Sequence, residues 1–315
     1  MRRTGVARLT LFALSLIAGA ASAASVPLVT LDWPQTGQPM TIATVNGVKL
    51  PFRVALGFDS ALMLNLQSAQ AARLRVFPLI GKRTVRDPLI PGGQATLRGN
   101  FIGVALGGLP RRTLPTLWID KPVATDADGI VSALAFDADR ILLSRPGPAG
   151  SQFVLNRDGR NSSASETVIA GTKVLVRLDL VSPDTVMSSG AADALVRAGL
   201  ARRAGRVALW RPFPDIRLPV ERLTPTAGAR LLGLPLVRPT ARISEAEMKR
   251  LDSAAKAGTS TADDDADTIV VTGSRKPPGR SWIIIGRDVL DQCTAIELDR
   301  PAKVWRLTCN FTGYQ

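Results

Sequence analysis

One carboxylate in this sequence stands where its surroundings suit acid–base work. Asp179 closes an apolar run, Gly171-Thr-Lys173-Val-Leu-Val-Arg177-Leu-Asp179, and an apolar pair, Val186-Met187, follows a short turn. The same arrangement occurs 124 residues earlier (47 against 171), as Gly47-Val-Lys49-Leu-Pro-Phe-Arg53-Val-Ala55 and then Leu62-Met63. Glycine, lysine, arginine and methionine recur at identical offsets, so the chain carries a duplicated strand–turn–strand unit. The residue eight after the glycine is Asp179 in one copy and Ala55 in the other. A carboxyl at a turn can take or give a proton; a methyl group cannot.

Composition closes other chemistries. The chain has no histidine, which removes serine–histidine and cysteine–histidine catalysis and the commonest zinc ligand. Its two cysteines, Cys293 and Cys309, are too few for a metal cage, and no cofactor is expected. They bracket an alternating segment with a turn at Arg300-Pro301-Ala302. A hairpin centred on Pro301 sets 293 opposite 309 and predicts a cross-strand disulfide. Loop-closure entropy makes such a bridge worth roughly 3 kcal/mol. The formal charge of +14 has no aromatic-rich basic motif beside it, so a solvated basic surface is expected, without nucleic acid.

The elements that must position Asp179 come next. Residues 1–23 read as a secretory signal: Arg2, Arg3 and Arg8 precede an apolar run to Ala18, and Ala21-Ser22-Ala23 is a small-x-small cleavage site. That run is too short for a membrane span, and no later segment approaches twenty consecutive apolar residues. The expectation is a periplasmic or secreted protein with no transmembrane segment. What remains exceeds one compact core, so two domains are expected. Short alternating strands at 101–106, 140–143 and 153–155, broken by glycine and proline, indicate an all-β architecture. Brief helices fit 68–74, 190–200 and 244–256. The polar segment 156–167 reads as a linker between lobes at 26–155 and 168–312. A helical and low-complexity acidic insertion interrupts the second lobe at about 240–280.

With both copies in view, the repeat resembles the aspartic proteases, in particular the retropepsin-like group of bacterial envelopes. In that family a glycine and an apolar strand lead to Asp-Thr/Ser-Gly, and each unit closes with an apolar pair, glycine, any residue, aspartate and two apolar residues. The second closing motif here is Ile284-Ile285-Gly286-Arg287-Asp288-Val289-Leu290, followed by the cysteine hairpin. The first is degenerate, Gly129-Ile130-Val131-Ser132, followed by an expected hairpin over 140–155. The resemblance implies two homologous β-barrel lobes with a cleft between them and few helices. Its chemistry needs two carboxylates sharing one proton, since like charges that close cannot both ionise.

Carried over residue by residue, Asp179 is the retained catalytic position and Ala55 the lost one. Leu180 and Val181 stand where threonine or serine and glycine belong, while Gly57 keeps its glycine. Asp59, in Asp59-Ser60-Ala61, is a shifted substitute that breaks the eight-residue spacing. The resemblance places peptide contacts at Gly57, Ser60, Leu180, Val181 and Ser182, and at a flap tip carrying Gly92 and Gly93. It implies a protein that binds an extended peptide or protein segment without cleaving it. The alternative is an active aspartic endopeptidase that pairs Asp179 with Asp59 or with an acid from a partner chain.

A separate segment, Thr268-Ile269-Val270-Val271-Thr272-Gly273, resembles the TonB box that opens many outer-membrane receptors. There an extended stretch adds a strand to a partner's sheet. Behind an acidic tether, this hexad implies an envelope adaptor for a TonB-type periplasmic partner; an ordinary strand is the other reading.

Overall fold

Alternation builds both halves of the chain. In the strand Val48–Ala55, Leu50, Phe52 and Val54 are buried while Lys49 is exposed. In Thr172–Leu178, Val174, Val176 and Leu178 are buried while Lys173 is exposed. A period of two, with one dry face and one wetter face, suits the wall of a barrel. The computed structural model describes residues 28–57, 62–78, 81–86, 94–159, 162–256 and 280–311. The fold is all-β with two lobes.

The first lobe is a seven-stranded sheet in the order Met40–Val45, Val48–Ala55, Gly129–Ser132, Leu62–Asn65, Arg112–Ile119, Gln94–Leu106 and Lys82–Arg86. The second repeats it strand for strand as Ser165–Ile169, Thr172–Leu178, Ser281–Ile285, Val186–Met187, Thr240–Arg242, Ile216–Pro225 and Ala201–Phe213. The strand directions repeat as well. Val48–Ala55 runs parallel to Gly129–Ser132, which is antiparallel to Leu62–Asn65, itself parallel to Arg112–Ile119. The second lobe keeps each of these relations.

The offset of 124 extends across the parallel pairs, with Leu62 beside Thr116 and Val186 beside Thr240. It then grows to 154: Arg53 faces Ile130 and Arg177 faces Ile284. The second lobe therefore has thirty more residues before its closing strand, and the helix Glu245–Lys256 lies among them.

Closure separates the lobes. Met40–Val45 also pairs with Gln94–Leu106, from Ala43 opposite Leu106 to Val45 opposite Val104, which closes a six-stranded barrel. The equivalent pairing in the second lobe is absent among the described residues. Its strand ends at Pro225, which has no N–H to offer a ladder. Thr226 then turns away and donates through its amide to the Leu200 carbonyl and through its hydroxyl to that of Gly199.

A third sheet is shared, in the order Leu28–Asp32, Arg140–Ser144, Cys293–Asp299, Val304–Cys309 and Ser151–Asn156. The expected hairpin over 140–155 does not form, because the C-terminal hairpin sits between its two strands. Pro146 and Pro148 remove donors from the link that a tight hairpin needs. The C-terminal strand supplies a matching ladder instead: Ile296 faces Leu143, Leu298 faces Ile141, and Arg140 donates to both Glu297 oxygens at 2.9 and 2.8 Å.

The disulfide does form between Cys293 and Cys309, which face one another. Most of that hairpin is one residue away from a ladder centred on Pro301, with Asp299 opposite Val304, and an irregularity at Thr294 brings the cysteines into line. Helices occupy Leu66–Ala71, Ser189–Arg197 and Glu245–Lys256 near the expected places, and a short one at Arg287–Leu290 was not foreseen. Within 156–167, Asn156 still belongs to one strand and Ser165 opens the next. Among the described residues no helix is long and apolar enough to cross a membrane.

Candidate functional site

Asp179 leaves the sheet at the end of Thr172–Leu178, where its amide still donates to the Ile285 carbonyl at 2.9 Å. The chain must then pass over the closing strand and return as Val186–Met187 on its far side. The carboxylate shapes that passage. Its Oδ1 accepts from the Val181 amide at 3.0 Å and its Oδ2 from the Ser182 amide at 3.2 Å. Such a self-capped turn is a common use of aspartate. Burial pushes the Asp179 carboxyl up to about 6, and the two amides hold it back from rising further. Among the described residues no second acid contributes to that shift.

The turn of the first lobe meets it directly. A Cβ placed on Gly57 would lie 3.4 Å from Asp179 Cβ, 3.6 Å from Asp179 Cγ and 3.3 Å from the Leu178 carbonyl oxygen. Arg177 crosses the junction and donates from Nη1 to the Gly57 carbonyl at 3.1 Å. Ala55 is buried and pairs with Ser132, itself fully buried. Leu56 and Leu180, equivalent in the repeat, are both 1 % exposed. Among the described residues the centre of the junction is therefore apolar, with the Asp179 carboxylate beside it.

Of the second-lobe residues assigned to ligand contact, Leu180 and Ser182 are buried within their own turn, and Ser182 Oγ donates to the Asp184 carbonyl at 2.6 Å. Gly57 and Val181 are partly exposed. Asp59, Ser60, Gly92, Gly93 and the hexad Thr268 to Gly273 lie outside the described residues.

The closing motif braces the turn from below. Thr185 Oγ1 donates to Asp288 Oδ1 at 2.9 Å and accepts from the Gly286 amide at 3.2 Å, while the Arg238 amide donates to Asp288 Oδ2 at 2.9 Å. Burial raises the pKa of Asp288. Gly286 is required by space: a Cβ there would fall 2.4 Å from the Asp184 carbonyl oxygen. Ser132 occupies its place in the first lobe, and its hydroxyl accepts from the Leu134 amide.

Each lobe also carries one hairpin at the same edge of its sheet. The first pairs Lys82–Arg86 with Gln94–Leu106, and the second pairs Ala201–Phe213 with Ile216–Pro225 around a two-residue turn. Sequence reading found only the first. The second is pinned by Arg203, which donates to Asp193 at 2.7 Å and pairs with Glu221, a glutamate only 2 % exposed.

Sequence reading also missed the bond from Arg177 to Gly57. The recurrence of Arg53 and Arg177 was its one available signal. Among the described residues no group of histidine, cysteine, aspartate and glutamate is placed to hold a metal. No protein-family model matches the chain, and no curated protein does.

Proposed function

We propose that this chain is an exported, two-lobed protein of the aspartic-protease kind that binds an extended peptide between its lobes without hydrolysing it. The observation that carries the reading is the junction itself. The turn bearing Gly57 packs on Asp179, yet the repeat position that would supply a second acid holds Ala55. One carboxyl cannot serve as base on water and as proton donor to the carbonyl at once.

Backbone pairing would supply the affinity. Lys82–Arg86 and Ala201–Phe213 are edge strands, each with one side unpaired among the described strands, and an extended peptide can add to such an edge. The buried disulfide agrees with an oxidising, extracytoplasmic compartment.

A peptide-library digest across acidic to neutral pH tests the reading. No cleavage is expected, while immobilised extended peptides retain the protein. Turnover that is lost in both Asp179→Asn and Asp59→Ala would establish an active dyad and overturn it.

A further inference from the structure

The second-lobe hairpin of Ala201–Phe213 and Ile216–Pro225 is rich in cations. Residues 201–225 carry six arginines against Asp215 and Glu221, a net charge of +4 (6 − 2). Glu221 is engaged inside the hairpin: it is buried, pairs with Arg203 and accepts from the Gly205 amide at 3.1 Å. Asp215 stands in the turn at the tip. Arg202, Arg206, Arg211, Arg217 and Arg222 are exposed, and among the described residues none of them forms an ion pair or a side-chain hydrogen bond.

The strand register sets these cations against one another. Between the pairs Arg203–Leu223 and Val207–Glu221, residues 204–206 stand against Arg222 alone. Between the pairs Trp210–Leu218 and Phe213–Ile216, residues 211–212 stand against Arg217 alone. Both irregularities therefore bring arginine across from arginine, and Gly205, at a φ of 63°, permits the first. The hairpin of the first lobe does likewise: Lys82, on its open edge strand, is registered directly opposite Arg98. Like charges across a strand pair destabilise it, and an anion between them relieves the repulsion.

Ala201–Phe213 keeps one side unpaired among the described strands. A strand that adds there sets its side chains about 4.5–5.5 Å from those they face, Cβ to Cβ, within reach of a guanidinium. Trp210 turns toward Trp282, with the rings 6.2 Å apart, while its neighbours Leu209 and Arg211 are exposed. The free face of the strand thus offers an apolar residue and a cation two positions apart. Charge along an open edge repels basic strands and admits acidic ones.

We propose that the chain selects an acidic partner: an extended segment rich in aspartate or glutamate that adds as a strand to the open edge of Ala201–Phe213. Its carboxylates lie on Arg206 and Arg211 and screen them from Arg222 and Arg217. This rests on the reading of the chain as a peptide binder and names the class of peptide.

Calorimetric titration of the full chain with a short peptide of alternating glutamate and valine tests it, beside the same peptide with glutamine for glutamate. The acidic peptide binds at least tenfold more tightly, and raising salt from about 50 mM to about 500 mM removes most of that difference. Arg206→Gln combined with Arg211→Gln brings the acidic peptide's affinity down to that of the neutral one, with a melting temperature no lower than before. Arg75→Gln combined with Arg111→Gln, which removes two exposed charges from the first lobe, leaves both affinities unchanged. Methylating every backbone nitrogen of the acidic peptide abolishes binding. Equal affinity for the two peptides overturns the acidic selectivity and leaves peptide binding standing, whereas failure of every peptide to bind overturns both. Undiminished binding of the methylated peptide would mean attraction by surface charge alone and sinks the strand addition. If the acidic peptide binds only once Asp263, Asp264, Asp265 and Asp267 are changed to asparagine, the edge belongs to the chain's own acidic run and the external partner is excluded.

Discussion

Arg177 of the second lobe donates from Nη1 to the carbonyl oxygen of Gly57 in the first, at 3.1 Å. A guanidinium on a peptide oxygen is stronger than a neutral bond, and here it ties one lobe's strand to the other lobe's turn. Arg53, its repeat counterpart, is engaged by Asp126 within its own lobe. The lobes are thus related in topology and unequal in how they hold their junction.

Space at that junction is the first thing to test. Gly57 does not have a positive φ, so its backbone accepts other residues, but a Cβ would already stand 3.3 Å from the Leu178 carbonyl oxygen. Gly57→Ala is expected to change stability by no more than about 1 kcal/mol. Gly57→Val adds two methyls against Asp179 and costs about 1–3 kcal/mol. Chemical denaturation of both variants reads this, and equal stability would mean that the two turns do not abut.

The Asp179 carboxyl makes stability depend on pH in a stated direction. Its folded pKa is raised to about 6, while an aspartate in the unfolded chain titrates near 3.9. Over that window the folded state binds the extra proton, so protonation favours folding. The benefit is complete below about pH 4 and is lost as pH rises through about 6, by roughly 2–3 kcal/mol. Buried Asp288, also raised, adds to the same slope. Asp179→Asn should flatten most of it in denaturation series between these pH values. An unchanged slope would show that Asp179 is not desolvated.

Arg300 is only 8 % exposed and donates from Nη2 to the carbonyls of Leu134 and Phe136, the latter at 2.6 Å. It stands in the turn of the C-terminal hairpin and reaches into the first lobe. Arg300→Met keeps the volume and strands both carbonyls, each at about 1–3 kcal/mol. A loss of about 2–5 kcal/mol is expected from the denaturation midpoint; a loss below 1 would mean water replaces the guanidinium.

Both sulfur-bearing residues of the bridge are essentially inaccessible, at 0 % and 1 % exposure for Cys293 and Cys309. Reductant should therefore leave the native protein bridged while lowering the midpoint once unfolding exposes the bond. Replacing both cysteines by alanine should cost about 3 kcal/mol. Because the hairpin is central in the shared sheet, the transition should stay single; two separate transitions would argue against that placement.

Several elements were legible in the sequence because their signals are local. Val48–Ala55 and Thr172–Leu178 alternate cleanly, and the cysteines flank a clear turn. The cysteine pairing was read from a ladder centred on Pro301, whereas the irregularity at Thr294 is what aligns the two residues. The hairpin over 140–155 was misread because sequence adjacency is a poor guide once proline residues break the link and a distant strand offers a better partner. Arg177 was seen as a repeat marker, but its reach to Gly57 depends on how the lobes meet, which no local pattern encodes.

The shared sheet sets the order in which the protein can mature. Its outer strands, Leu28–Asp32 and Ser151–Asn156, emerge from the ribosome long before Cys293–Asp299 and Val304–Cys309, which must come between them. Contacts of such sequence separation are slow to form. The first half of the chain must wait with open strand edges until the cysteine hairpin has been made, so the two halves cannot finish one after the other, and anything that shields nascent β-edges protects this protein most.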